Sequence, residues 1–204
     1  MTGEQRREQL LAVSRKLFAE KGFEGTSVEE IAARAQVSKP VVYEHFGGKE
    51  GIYAVVVDRE IVKLTGALTD ALAALGHPKA LLERTALALL TYIENNTDGF
   101  RILVRDSPVA QATGTFSSLI GDVATQVEHL LAEQFKKQNL DPKTAPIYAR
   151  MLVGMVALTG QHWLDSRSPA KTDVAAHLVN LAWNGLSGLE THPTLTRIPP
   201  RPPS

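Results

Sequence analysis

GTSVEEIAARAQVSKPVVYEHF, residues 25–46, holds two short helical segments joined by four residues. Val28, Ile31, Ala32 and Ala35 repeat at the spacing of one helix face. Thr26-Ser27-Val28-Glu29 predicts a capping box, with Thr26 accepting from the backbone and Glu29 reaching back. Ala35-Gln36-Val37-Ser38 is the connection. Ser38 is placed to cap the second helix, with Pro40 in its first turn, where a missing N–H costs little. Gly47-Gly48 ends that helix. Ala32, Ala33 and Ala35 let the two segments approach closely, and Val37 can plug the junction between them. This is how a helix-turn-helix is built. A helical corner with the same spacing also serves as plain packing, so spacing alone leaves both readings open.

Residue types add to the pattern. The second helix, Lys39 to His45, is short enough to lie in a major groove about 12 Å wide. Lys39 stands at its N-terminal end, where base edges or phosphates are met. Val41 offers methyl contact to thymine. Tyr43 and His45 carry polar tips that can reach phosphate oxygens. Lys49 opens the next helix, where backbone N–H groups and the helix dipole favour phosphate. Thr26 and Ser27 form a second candidate clamp. Val42 and Phe46, one helical turn apart, are expected in the core. Over residues 34–49, Arg34, Lys39 and Lys49 stand against Glu44, a small positive excess.

On either side the helical period continues. Leu10, Val13 and Leu17, with Leu11 and Phe18 beside them, precede the stop Lys21-Gly22. Lys49-Glu50 opens a long helix carrying Ile52, Val56, Ile61, Leu64, Leu68, Leu72 and Leu75. His77-Pro78 starts another. Asp98-Gly99 reads as a turn before a short helix over Phe100 to Arg105. Ser107-Pro108 stops it, and 108–114 reads as a loop. Phe116, Leu119, Ile120, Val123, Val127, Leu130 and Leu131 mark a long amphipathic helix. Asp141-Pro142 and Ser168-Pro169 open the last two. Residues 191–204 are too proline-rich for a helix and are expected to be extended. The expected fold is all-α, with three short helices in the first 47 residues and about six longer ones after them. The expected units are a helix-turn-helix head over 1–50, a helical regulatory domain over 51–190 and a tail over 191–204.

Composition narrows the function. The chain has 204 residues, with 22 Lys and Arg against 22 Asp and Glu. A globally basic nucleic-acid coat is excluded, and a local basic face is not. There is no Cys, so disulfides, zinc fingers and cysteine nucleophiles are excluded, and a reducing cytoplasm fits. No apolar run approaches the roughly 20 residues that span a bilayer. MTGEQRREQL lacks the apolar core of a secretory signal. The expected location is cytoplasmic, with no membrane partner. H-E-x-x-H, a Gly-rich phosphate loop and G-x-S-x-G are all missing. Asp173 with His177, and His162 with Asp165, share helix faces but lack a third ligand. Neither a metal, nor a cofactor, nor catalysis is therefore expected. The rival readings are an all-helical enzyme and a protein-binding adaptor with a helix-turn-helix-like head.

The run LLxxSRKLFAEKGFEGTSVEEIAARAQVSKPVVYEHFGGKEGI, residues 10–52, resembles the DNA-binding domain of tetracycline-repressor-type (TetR) regulators. Leu17-Phe18, Gly22, Thr26, Ile31-Ala32, Val37-Ser38, Val42-Tyr43, His45-Phe46 and Lys49-Glu50 carry the likeness, over about a fifth of the chain. The resemblance implies a homodimer of about nine helices per subunit on double-stranded DNA. It further implies an inducer pocket in the C-terminal part and repression of a nearby promoter. Carried over by position, the DNA contacts are Thr26, Ser27, Lys39, Val41, Tyr43, His45 and Lys49. Two departures stand out: Lys39-Pro40 follows Ser38, and Val41 stands where Thr is frequent.

For the C-terminal part the helices from Pro78, Phe116 and Asp141 are expected to surround a cavity for a small apolar organic inducer. The expected wall is Tyr92, Phe100, Leu103, Phe116, Leu119, Ile120, Val123, Met151, Met155 and Trp163, with Asn95, Asn96, Arg101, Gln161 and His162 orienting the ligand. Rows of this kind equally suit a plain core. Val153, Gly154, Val156, Ala157 and Gly160 on one helix, and Ala175, Leu178, Ala182, Gly185 and Leu189 on the other, predict a homodimer through the last two helices, with packing inside one subunit as the alternative. A pair of heads roughly 34–36 Å apart would read a palindromic operator. Ligand would act by favouring a head spacing that does not fit it.

Overall fold

A computed structural model describes residues 2–105 and 116–195. The loop expected over 108–114 and the tail from 196 onward lie outside the described residues. The head is α1 (Gly3–Lys21), α2 (Val28–Arg34) and α3 (Lys39–Phe46). After it come α4 (Lys49–Ala73), α5 (Pro78–Asn95), α6 (Thr97–Leu103) and α7 (Phe116–Lys137). A 3₁₀ turn, Pro142–Thr144, leads into α8 (Ala145–Ser166), and α9 (Lys171–Ser187) ends the bundle. No strand occurs among the described residues, and the fold is all-α.

Most boundaries follow their local chemistry. The Gly22 N–H caps α1 by donating to the Phe18 carbonyl at 2.9 Å. Gly47 and Gly48 have φ of 71° and 129°. These values reverse the chain between α3 and α4 and would strain any residue with a Cβ. His77 caps α5, its ring nitrogen accepting from the Lys79 N–H at 3.2 Å. Pro142 sits in the 3₁₀ turn, after which α8 begins at Ala145 with Pro146 in its first turn.

Several boundaries differ from expectation, among them the end of α4, which stops at Ala73 before Leu75. Ser27, not Thr26, caps α2, its hydroxyl accepting from the Glu30 N–H at 3.2 Å. Thr26 is 2% exposed and donates to the Gly22 carbonyl at 2.8 Å, because its hydroxyl closes the α1–α2 turn. Gly99 lies inside α6 rather than in a turn before it, packed against Glu60 of α4. The last helix starts at Lys171, two residues beyond Ser168-Pro169.

Leu10, Leu17 and Phe18 of α1 are buried with Ile52, Tyr53 and Val56 of α4. Phe18 meets the Tyr53 ring edge-on at 5.0 Å. A side chain of this size contributes about 1.5–3 kcal/mol when fully buried. The head alone is too small to hold a sizeable core. Accordingly one apolar cluster runs unbroken from Leu10 to Leu178, and α1 packs on α6 as well as on α4. Arg59 of α4 clasps Glu8 of α1 through two hydrogen bonds of 2.7 Å.

Most of the small residues of the last two helices are buried within the subunit, while other residues of the same two helices face outward. Val153, Ala157, Ala175, Leu178 and Ala182 are buried within the subunit. Gly160 lies against α5, where an added Cβ would stand 2.9 Å from Ile93 Cδ1. Outward-facing instead are Ile147, Met151 and Leu158 on α8 and Leu181 on α9, each more than half exposed. Ile147, Met151, Gly154 and Leu158 follow one another at spacings of four, three and four, so they form a stripe along α8.

Candidate nucleic-acid interface and ligand cavity

The head presents one face made by the start of α2 and the whole of α3. Ser27, Lys39 and Tyr43 are exposed there, and Tyr43 keeps 54% of its surface free. Lys39 and Tyr43 are one helical turn apart and share a side of α3. The Lys39 ammonium donates to Glu29 of α2, which ties the two helices. That hydrogen bond, ahead of the charge itself, holds the Glu29 carboxyl below its usual range. Both side chains are exposed, and water and salt screen such a pair, so exchanging Glu29 for a phosphate costs little.

Three of the residues expected on this face have other partners. Thr26 is buried, as described. Val41 is half-buried against the apolar cluster, and only part of it faces out. Lys49 donates to the Phe23 carbonyl at 3.1 Å and lies 4.1 Å from the centre of the Phe23 ring. It thus fastens the α1–α2 turn to α4, with two of its three donors left over. His45 is half-buried beside Phe46. Residues not singled out from the sequence hold α3 in place. Arg7 lies 4.7 Å from the centre of the Phe46 ring, and Gln9 of α1 donates to the Ala35 carbonyl at 3.1 Å.

Beyond the head, a cavity of about 330 Å³ lies between α4, α5, α7, α8 and α9. Of the fifteen residues expected there, Phe116, Leu119, Ile120 and Val123 line it, while Asn95 is exposed and Arg101 pairs with Asp165 at 2.8 Å. The others stand elsewhere, for identifiable reasons. Phe100 and Leu103 are buried in the core of α6. Trp163 is buried and donates its indole N–H to the Pro169 carbonyl at 2.8 Å, holding the α8–α9 connection. Tyr92 is taken up by Glu60. Asn96 caps α5 through its N–H to the Tyr92 carbonyl at 2.8 Å. Met155 is packed into the core, Gln161 is half-buried, and Met151 and His162 face solvent.

The wall is built mostly from rows that the sequence reading marked only as helix faces, or, for Val153 and Val156, as a subunit interface. They are Leu64, Leu68 and Leu72 of α4, Leu81, Leu82 and Leu89 of α5, Val127 and Leu131 of α7, and Val153 and Val156 of α8. Trp183 of α9 adds an aromatic edge, its ring 5.1 Å from that of His77. The length of the α4 row was the available signal, since it runs well beyond what the head needs. Thr85 and Gln134 are the polar side chains of the described wall, and no charged one lines it. Leu64, Leu89 and Leu119 at one end are buried, while Leu75, Gly76 and Leu130 at the other are exposed. The cavity therefore opens near the α4–α5 turn and closes toward the head. A charge taken inside would meet no partner, so the interior suits an aliphatic group and the mouth a polar one.

Among the described residues no group of three His, Asp or Glu side chains is placed to hold a metal. No described helix is long and apolar enough to cross a membrane.

Comparison with known proteins agrees with this architecture. A family model described as bacterial regulatory proteins, tetR family, matches residues 10–56. A second, described as tetracyclin repressor-like, C-terminal domain, matches residues 78–185. The HTH-type transcriptional activator FasR of Mycolicibacterium smegmatis (strain ATCC 700084 / mc(2)155) is 30% identical over 199 residues, covering 95% of this chain and 87% of that protein. Among solved structures, a TetR-like transcriptional regulator from Rhodococcus sp. RHA1 is similar, with a TM-score of 0.75 and 27% identity over 90% of this chain and 97% of the other. The TetR family regulator PfmR from Thermus thermophilus has a TM-score of 0.68 and 26% identity, again over 90% and 97% of the two chains.

Proposed function

We propose that this chain, which belongs to the tetR family of bacterial regulatory proteins and is a DNA-binding transcription regulator, is a repressor released by an aliphatic ligand. It binds a palindromic operator as a homodimer. From each head Ser27, Lys39 and Tyr43, with the edge of His45, meet the major groove and its phosphates, while Thr26, Val41 and Lys49 shape the surface from behind. The cavity takes a small organic molecule with an aliphatic portion, tail first from the α4–α5 turn. A filled cavity biases α4, which begins at the head and ends at the mouth, toward a head spacing that does not fit both half-sites. The observation that carries this reading is the uncharged aliphatic wall, shared by α4 with four other helices. An activator is the second reading, supported by the name of the FasR relative. The sign of the transcriptional effect then depends on where the operator lies relative to the promoter.

The test uses duplexes selected from genomic fragments by the purified full chain. Fluorescence anisotropy is read at several salt concentrations. Lys39→Ala is expected to weaken operator binding and reduce the slope of log affinity against log salt by about 1. Dodecan-1-ol is expected to change Trp183 fluorescence and weaken operator binding with the dimer intact. A chain that prefers no duplex, or whose operator affinity ignores an alcohol that it binds, would overturn the proposal. A promoter fusion separates repressor from activator.

A further inference from the structure

A carboxylate is buried where the head meets the rest of the protein. Glu60 of α4 is 2% exposed. Its Oε1 lies 3.2 Å from Arg15 Nε of α1 and 3.1 Å from Lys63 Nζ. Its Oε2 accepts from the Tyr92 hydroxyl of α5 at 2.7 Å. Gly99 of α6 comes so close that an added Cβ would stand 2.0 Å from that oxygen. Four helices thus meet on one side chain. An apolar residue could fill the place without the desolvation penalty that an ion carries. The carboxylate adds direction, because its hydrogen bonds from Tyr92 and Lys63 hold only within a narrow range of distance and angle.

We propose that Glu60 is a positioning residue for operator binding: it sets the angle of the DNA head, and Tyr92 makes that setting responsive to the cavity. The second half rests on the cavity reading given above, and the first half does not. Arg15 lies on α1, the helix that holds α3 through the Arg7–Phe46 contact and the α2–α3 connection through Gln9–Ala35. Losing the charge at Glu60 frees Arg15, and with it the tilt of α1. On the other side, Leu64 is one turn beyond Glu60 on α4, and Leu89 is one turn before Tyr92 on α5. Both line the buried end of the cavity. A molecule that parts Leu64 from Leu89 also parts Glu60 from Tyr92. Stretching that bond by about half an ångström takes it out of the range of an O–H···O hydrogen bond. Burial first, and the bond to Glu60 second, push the Tyr92 phenol pKa upward, so it stays a donor.

Glu60→Gln keeps the shape and removes the charge. Its affinity is measured for the two-half-site operator and for a single half-site duplex, with helical content as a control. The expected result is about a tenfold loss on the operator and less than about a twofold change on the half-site, because only the bivalent fit depends on head angle. Equal losses on both duplexes mean that Glu60 merely supports the fold, and no loss on either means that it sets nothing. Both results overturn the proposal. Tyr92→Phe decides the coupling, and decides alone if Glu60→Gln does not fold. It is expected to mimic the filled cavity: without ligand its operator affinity falls about threefold or more while the half-site stays within about twofold, and the weakening by dodecan-1-ol is cut about threefold or more. An unchanged alcohol effect overturns the proposal. If dodecan-1-ol leaves wild-type Trp183 fluorescence unmoved, the cavity reading has failed. The Glu60→Gln comparison then still decides the positioning role.

Discussion

Met151→Glu combined with Leu158→Glu is expected to give a monomer that folds but loses operator affinity by about a hundredfold or more. Both side chains are exposed in the single subunit, at 60% and 66%, so carboxylates there face water and the fold tolerates them. Between two subunits the same carboxylates would be buried opposite apolar residues and each other. The effective penalty is several kcal/mol per ion, enough to abolish most dimers. The loss on DNA follows from losing the second head, which otherwise binds at the high effective concentration that its partner creates. Affinity for a single half-site duplex is expected to stay near wild type. Light scattering during gel filtration reads the mass, and anisotropy reads both duplexes. A double variant that stays dimeric with wild-type operator affinity would move the subunit interface away from the α8 stripe.

Gly99→Ala is expected to destabilise the protein by about 3–5 kcal/mol, the range for breaking a buried charged pair. The added Cβ would stand 2.0 Å from Glu60 Oε2 and 2.5 Å from its Cδ. Glu60 would then have to move away from both Arg15 and Tyr92. For a chain of this size each kcal/mol is worth about 2–4 °C in melting temperature, so a fall of roughly 6–20 °C is expected. Gly66→Ala is the internal contrast. Gly66 is exposed in the middle of α4 with nothing within 4 Å of its would-be Cβ. There the better helix propensity of alanine is expected to raise stability by up to about 1 kcal/mol. Parallel thermal melts settle the pair, and a neutral Gly99→Ala would mean that α6 and α4 are not packed this closely.

The head was legible in the sequence because its signals are local. Periodicity from Leu10 to Phe46, the caps and the paired glycines all act within a few residues, and each points to the same short helices. Thr26 shows the limit of that reading. A threonine before Ser27 looks like the cap in either register, and only the position of the Gly22 carbonyl decides which hydroxyl is free. Lys49 is similar: in the sequence it stands at a helix start, where a phosphate contact is expected, and in space its ammonium lies over the Phe23 ring.

The cavity was far less legible. Aromatic, methionine and amide side chains stood out as chemically distinctive, and most proved to be core, caps or surface. Trp163 and Tyr92 carry polar tips that must be satisfied once buried, and each is used by a neighbour within the fold. A cavity, by contrast, forms where ordinary leucine and valine rows fail to touch. Leu68 and Val123 read the same on paper whether they meet a partner or an opening.

By itself the sequence determined the all-helical architecture, the helix-turn-helix with its exposed Lys39 and Tyr43, and the exclusion of cysteine chemistry. Helix period, capping and composition are properties of neighbouring residues. Tertiary structure alone decided which aliphatic rows splay apart into a cavity, which faces of α8 and α9 are spent inside the subunit, and that Glu60, Arg15, Tyr92 and Gly99 converge. Those outcomes depend on distances between helices far apart in the chain, which no local pattern encodes.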